Sequence, residues 1–448
     1  MKYRPVHFVR NSVQAIFLVG FLWAAGKLSY PAGAENAALQ WLSRLDPWLL
    51  FSQVRWQHQF PVWGWLPLLT LAATALFGRF FCGWLCPFGA LLALTDHLSK
   101  KITGQTALFR AAVLRRCQPL IHAWLLLLFV VFALGSNWIL FLTPFALFSH
   151  ETLRLFQGQV PWLLAAILVG TALFSRLWCS VFCPTGLLLS QVARLRFFSY
   201  RVSGNCLQCG RCTAVCPVGC DPAAGGQAGE GCLTCGNCRS ACPTQAIAWG
   251  KARSGVIAEL GDAAAADGSV SRRRFFKTAF LLAAAAAFWR QTVWAAEKVL
   301  RPPGALSEAD FTAVCNRCGR CVKVCPNQAL VPAPITQGFA NFATPYLIPR
   351  QKRCDLCLAC QEVCPTGAIA TVALEQVRMG QAVLDKRRCI AWEEHKLCLI
   401  CAEQCPVLAI ESDEQHRPVL RSEKCAGCGT CENACPVDGE AAIRVIPR

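Results

Sequence analysis

With 448 residues, 54% hydrophobic content and a mean hydropathy of +0.38, the chain is too apolar for a soluble protein of its size and long enough for several domains. Its 30 cysteines are not scattered as in a disulfide framework; most fall in C-x-x-C-x-x-C-x-x-x-C-P runs, the ligand spacing of cubane iron–sulfur clusters. The formal charge of +18 drops to roughly +6 once six four-thiolate cubanes of about −2 each are counted, and no nucleic-acid motif accompanies it.

Taken in order, the chain first offers four apolar stretches, 12–30, 61–81, 119–142 and 161–182, each near the ~20 residues a bilayer requires. Lys2, Arg4 and Arg10 precede the first of them. Lys100, Lys101, Arg110, Arg115 and Arg116 follow the second, and Arg194, Arg196 and Arg201 follow the fourth. Positive charge is retained on the cytoplasmic side, so both ends of this bundle are expected inside and the loops 31–60 and 143–160 outside. The bundle is duplicated: Phe77-Gly-Arg79-Phe-Phe-Cys82-Gly-Trp-Leu-Cys86-Pro87-Phe-Gly89 matches Phe174-Ser-Arg176-Leu-Trp-Cys179-Ser-Val-Phe-Cys183-Pro184-Thr-Gly186.

Each repeat thus carries C-x-x-x-C-P with an Arg three residues before its first cysteine. Spacing of i and i+4 puts both sulfurs on one helical face. If the repeats pack face to face, Cys82, Cys86, Cys179 and Cys183 form a four-thiolate set able to hold a metal or a further cluster, or to form disulfides. Cys117 and Cys220 have no such partners and are read as structural or incidental.

After the fourth span, Cys206, Cys209, Cys212 and Cys216 form one run and Cys232, Cys235, Cys238 and Cys242 a second. In two-cluster folds of this kind the fourth cysteine crosses over. Cys206, Cys209, Cys212 and Cys242 are therefore expected on one cubane, and Cys232, Cys235, Cys238 and Cys216 on the other. Residues 251–270 turn to Ala, Gly and Asp, a linker composition. Ser271-Arg272-Arg273-Arg274-Phe275-Phe276-Lys277 then reads as a twin-arginine export signal, with an alanine-rich apolar run behind it. Val293-Trp-Ala-Ala296 matches a cleavage site poorly and Arg290 interrupts the run, so an uncleaved anchor helix is expected.

Sixteen cysteines beyond the signal make four runs: Cys315, Cys318, Cys321, Cys325; Cys354, Cys357, Cys360, Cys364; Cys389, Cys398, Cys401, Cys405; and Cys425, Cys428, Cys431, Cys435. The third is stretched between its first two cysteines. The spacing leaves open whether neighbouring runs pair or the first pairs with the fourth and the second with the third. Free thiols sent unfolded into an oxidising periplasm would form wrong disulfides, so this half must fold around its iron before crossing, as a twin-arginine route allows.

Residues 1 to about 250 resemble the NapH family of membrane quinol dehydrogenase subunits, and residues from about 270 to 448 resemble NapG and the related MauM proteins. The chain is similar to a fusion of the two. The resemblance implies passage of electrons from the quinone pool to a periplasmic reductase of the nitrate reductase type, directly or through a c-type cytochrome. The expected architecture is a membrane α-helical bundle of four spans in two repeats, plus a fifth anchor helix, bearing bacterial-ferredoxin-like α+β domains. Its parts are a membrane domain (1–204), a cytoplasmic two-cluster module (205–250), the linker (251–270), the signal or anchor (271–296) and a periplasmic four-cluster domain (297–448). Six 4Fe-4S clusters are expected, with quinol as substrate and the bacterial inner membrane as location.

Quinol oxidation needs groups that accept two protons near a one-electron acceptor. On the outer side the candidates are Arg55, His58, His150 and Glu151, with Asp46; Asp96, His97 and His122 lie elsewhere in the bundle. The membrane half alone also resembles the CcoG-type proteins of oxidase assembly, which implies the alternative of a maturation factor reducing a metal or thiol.

Overall fold

The structure, a computed structural model, describes residues 4–29, 33–57, 60–103, 118–133, 138–251 and 298–447. The linker, the twin-arginine stretch, Cys117 and His58 lie outside the described residues. The chain forms two compact units, Met1–Gly26 with Trp41–Phe288, and Lys27–Gln40 with Trp289–Arg448.

Apart from Lys27–Gln40, which belongs to the second unit, the described residues up to 195 form the helices of the first unit. Helix α1 spans Arg4–Lys27, α2 Ala34–Ser43, α3 Pro47–Gln57, α4 Trp65–Phe77, α5 Phe80–Trp84 and α6 Pro87–Thr103. Further helices occupy Gln118–Ala133, Pro144–Phe156, Trp162–Phe174 and Pro184–Val192. Among the described residues one helical stretch, Val6–Lys27, is long and apolar enough to cross a bilayer. The second and fourth expected spans are shorter than their apolar stretches. Helix α4 and its repeat Trp162–Phe174 have 13 residues each, about 20 Å of rise. Both stop where the backbone turns left-handed, at Gly78 (φ 76°) and at the matching Ser175 (φ 56°). Past these breaks come α5 in the first repeat and a π-helical turn, Trp178–Phe182, in the second. Cys86 and Cys183 then precede new helices that start with Pro87 and Pro184, whose missing N–H is no loss at a helix start.

Aromatic stacking holds these segments together. Phe148 lies 4.8 Å from Phe21 of α1 and 5.4 Å from Phe88 of α6, and Phe145 5.9 Å from Phe81 of α5. Gln14 of α1 donates to the Gly83 carbonyl at 2.7 Å, satisfying a carbonyl freed where the helix breaks. The same unit ends in a small α+β module. Strands β1 (Phe198–Val202) and β2 (Ile247–Lys251) pair antiparallel, from Phe198↔Lys251 to Val202↔Ile247, and frame the two cysteine runs.

The second unit repeats that plan twice. Strands β3 (Leu330–Pro332) and β4 (Pro345–Leu347) accompany the first two C-terminal runs. Strand β5 (Gly380–Leu384) pairs with β8 (Ile443–Pro447), and β6 (Ile410–Ser412) with β7 (Pro418–Leu420), around the last two. The piece Lys27–Gln40 belongs here as well. Asn36 and Gln40 donate to the Glu362 carbonyl at 3.0 and 2.8 Å, and Arg320 donates to the Leu39 carbonyl at 3.1 Å.

Candidate iron-sulfur centres

Five of the six ferredoxin-type cysteine runs are built the same way, the stretched run from Cys389 excepted: a loop carrying the first two sulfurs, a one-turn helix carrying the third, and C-P at its end. The loop must turn sharply, and the backbone pays for this with positive φ at the residue two after the first cysteine: Gln208, Thr234, Arg317, Leu356 and Gly427. The short helix is preceded by a left-handed residue, Gly210, Gly236, Gly319 or Gly429, with Leu358 taking that conformation in the second C-terminal run. Such loops point amides at sulfur. Arg317 N lies 3.4 Å from Cys315 Sγ, Ala329 N 3.3 Å from Cys325 Sγ and Ala409 N 3.2 Å from Cys405 Sγ.

In the module framed by β1 and β2, Cys206, Cys209, Cys212 and Cys242 line one cavity of about 350 Å³, walled by Val202, Leu207 and Ile247. Cys216 lies within electrostatic reach of Cys232, Cys235 and Cys238. The fourth cysteines therefore cross between runs. Cys220 sits against Cys216, its amide 3.2 Å from that sulfur, so it shares the environment of the second set rather than standing apart.

In the second unit, neighbouring runs pair. Cys315, Cys318 and Cys321 gather with Cys364, and Cys354, Cys357 and Cys360 with Cys325, around a cavity of about 370 Å³. Cys425, Cys428 and Cys431 share a cavity of about 300 Å³ with Cys405, while Cys401 gathers with Cys389, Cys398 and Cys435. The stretched third run is accommodated by an extra turn, Ile390–Glu393. Its Trp392 is clasped between Lys386 and Arg417 and donates to the Pro418 carbonyl.

The sets also touch one another in a fixed sequence. Cys321 is within reach of Cys360, Cys354 of Cys428, and Cys431 of Cys401. The order is thus Cys315/318/321/364, Cys354/357/360/325, Cys425/428/431/405, Cys389/398/401/435. The Cys315 set carries two fully buried guanidinium groups. Arg317 donates to the carbonyls of Cys315, Ala340 and Phe342, and Arg320 holds Leu39.

These sets fit cubanes. Burial pushes the thiols of Cys232, Cys315, Cys354 and Cys401 up to about 12, so they carry thiolate charge only when iron shares it. Among the described residues no group of three or more His, Cys, Asp or Glu side chains is placed to hold a single metal ion.

The two C-x-x-x-C-P motifs are brought together too. Cys82 lies within electrostatic reach of Cys179, and Cys183 of Cys82, Cys86 and Cys179. All four are buried, and Arg79 and Arg176, 2% and 4% exposed, stand beside them.

The acid–base candidates among the described residues stand in unlike surroundings. His150 and Glu151 are buried neighbours, with Nδ1 3.1 Å from Oε1, and Glu151 Oε2 accepts from Leu164 N at 3.2 Å at the start of the helix Trp162–Phe174. Arg55 is exposed, its guanidinium 4.9 Å from the ring centre of Trp56. Asp96 pairs with Lys100 at 2.6 Å, and His97 is exposed. Asp46 is buried and accepts from Thr185 Oγ1 at 3.0 Å and from Trp48 N at 3.1 Å; burial pushes its carboxyl up to about 6 against those bonds.

Families described as 4Fe-4S binding domains match residues 59–104 with 160–201, 203–219 with 229–245, and 418–439, and a 4Fe-4S dicluster domain matches 314–368. Over 199 residues the chain is 36% identical to the ferredoxin-type protein NapG of Escherichia coli, covering 39% of this chain and 85% of that protein. It is 39% identical over 164 residues to the methylamine utilization ferredoxin-type protein MauM of Methylorubrum extorquens, covering 34% and 74%. It is also 27% identical over 155 residues to the putative electron transport protein YccM of Escherichia coli, covering 33% and 43%. No solved structure matches. Through its ferredoxin part the chain belongs to the family of the ferredoxin-type proteins NapG and MauM, and it is an iron–sulfur electron-transfer protein with several 4Fe-4S clusters.

Proposed function

We propose that this chain is an inner-membrane quinol dehydrogenase component that takes electrons from quinol and hands them to a periplasmic reductase of the nitrate reductase type, directly or through a c-type cytochrome. Six clusters on the six ferredoxin-type cysteine sets would supply one-electron transfer. The observation that carries the reading is the single-file order of four cysteine sets in the second unit, with Lys27–Gln40 seated at the Cys315 end. A row of this kind suits sustained flow over distance better than occasional reduction of a metal or thiol during assembly.

Membrane attachment is supported by a belt of apolar side chains left uncovered. Ile16 and Val19 of α1, Leu68 and Leu69 of α4, and Val169 and Leu173 of the repeat are all exposed. Four spans remain part of the proposal, with the helical segments either side of Gly78 and Ser175 crossing together. The residues 31–60 fall outside by the charge pattern, and their first part is packed into the second unit. That supports a periplasmic C-terminal half, delivered by the twin-arginine stretch.

The test is anaerobic addition of a reduced quinol to the full chain in lipid. Bleaching of the cluster absorbance within the mixing time, with one quinone formed for every two clusters reduced, is the expected result. Clusters left oxidised by quinol, yet reducible by dithionite, would overturn the dehydrogenase reading and leave the maturation factor in its place.

A further inference from the structure

We propose that Cys220 is an alternative fourth ligand for the cluster held by Cys216, Cys232, Cys235 and Cys238, able to take the corner that Cys216 occupies. The proposal rests on the iron–sulfur reading of that set and needs neither quinol nor any assignment of compartment. Cys220 does not stand alone. It is the fifth thiol of one group, in a module that a 4Fe-4S binding family matches over residues 203–219 and 229–245.

The first support is its place in the run. Cys220 is the fourth residue after the closing cysteine, and its amide lies 3.2 Å from Cys216 Sγ. Ala329 and Ala409 hold the same place in their runs, with amides 3.3 Å from Cys325 Sγ and 3.2 Å from Cys405 Sγ. The residue just before this place is left-handed in five runs, at Gly219, Gln245, Gln328, Gly367 and Leu408, so the backbone arrives in the same way each time. The other five ferredoxin-type runs put Ala246, Ala329, Ala368, Ala409 and Gly439 there. A slot against the ligand sulfur that elsewhere holds at most a methyl group here holds a second sulfur.

The second is its surroundings. Cys220 is within electrostatic reach of both Cys216 and Cys232, which places it on the ligand side of the set. Beside its sulfur stands Gly229, where a Cβ would lie at an ordinary contact distance of 3.8 Å. Arg196 donates to the Gly229 carbonyl at 2.6 Å and is itself within reach of Cys220. A thiolate bound to iron at this position would therefore have a guanidinium close by.

The exchange is a ligand substitution at one iron. The bond from Cys216 Sγ breaks, a bond to Cys220 Sγ forms, and the proton leaving Cys220 passes to Cys216. No electron is gained or lost, and no other reactant is needed. The set keeps four thiolates when Cys216 lets go, so the iron at that corner is not released.

The experiment uses the full chain purified anaerobically, with iron, acid-labile sulfide and EPR of the reduced protein as readouts. Cys216→Ala is expected to keep its iron, and Cys216→Ala/Cys220→Ala to lose about four atoms per chain with the signal of the Cys206 set intact. Loss of about four atoms from Cys216→Ala alone, in a module that still shows the Cys206 signal, overturns the proposal. Cys220→Ala decides the matter if Cys216→Ala does not fold, since alanine already fills this slot in four other runs. It is expected to keep all its iron but to release the Cys232 set to excess chelator, without oxygen, severalfold faster than the unaltered chain. Release at an unchanged rate overturns the proposal. A missing Cys232-set signal in the unaltered chain would sink the cluster assignment, and the proposal with it.

Discussion

The amide of Cys354 donates to the carbonyl of Cys428 at 3.0 Å, fastening the first cysteine of the second C-terminal run to the backbone of the fourth. This bond lies at the midpoint of the row of four sets, where the two halves of the second unit meet, and it makes the row continuous.

Removing a ligand from an inner set should therefore differ from removing one at the end. Cys360→Ser and Cys398→Ser are each expected to lower iron by about four atoms per chain. In a stopped-flow experiment with electrons supplied at the Cys315 end, Cys398→Ser leaves the other three sets reducible. Cys360→Ser leaves the Cys425 and Cys389 sets oxidised. Equal reduction of those two sets in both variants would show that the row is not the route.

Arg317 is fully buried against the Cys315 set, where burial pulls its own proton affinity down to about 10. Its charge favours the reduced cluster. Arg317→Gln is expected to lower the midpoint potential of one centre on the order of 50 mV, about 1 kcal/mol for one electron, and to leave the others in place. A redox titration followed by EPR reads this directly.

Arg350 ties down the last run through the carbonyls of Glu432, Cys435, Val437 and Gly439, at 2.6 to 3.1 Å. Arg350→Ala strips these bonds from a partly buried site and should cost about 2–3 kcal/mol. A lower denaturant midpoint for loss of the Cys425 and Cys389 sets checks it.

Asp46 gives a pH dependence of unusual sign. Its folded carboxyl titrates at about 6 against 3.8 when free, so between those values the folded chain binds more protons than the unfolded one. Stability then falls as pH rises from 4 to 6, by up to about 3 kcal/mol from this group, and is level above. Asp46→Asn keeps the bond from Thr185 and should flatten that slope, measured as Tm in detergent across the window.

Gly83→Ala places a methyl 2.2 Å from the Leu233 carbonyl. The expected outcome is displacement of the Cys232 loop, seen as faster proteolysis within 205–250 with helix content unchanged by circular dichroism.

What the sequence made legible was local. C-x-x-C spacing and the crossed fourth cysteine follow from one run and its partner, so the sets around Cys206 and Cys232 could be written down from the chain alone. Run pairing beyond residue 300 could not, because every run offers the same ligands and only packing chooses among them; the gathering of Cys364 with Cys315 and of Cys435 with Cys401 records that choice. The duplicated motifs were visible, with an arginine before each first cysteine, but not that Arg79 donates to the Cys179 carbonyl of the other repeat. The breaks at Gly78 and Ser175 escaped hydropathy, which counts apolar residues and is blind to one left-handed φ. The seating of Leu39 against Arg320 joins residues 281 positions apart, and no spacing rule reaches that far.

Single file has a cost that appears with age. If electrons follow the row in which the described sets from Cys315 to Cys389 stand, a molecule that loses one inner cluster to oxygen becomes an open circuit, however sound its remaining fold. The working life of this protein is then set by its most vulnerable link, and a cell would have to replace whole chains at the rate at which that link fails.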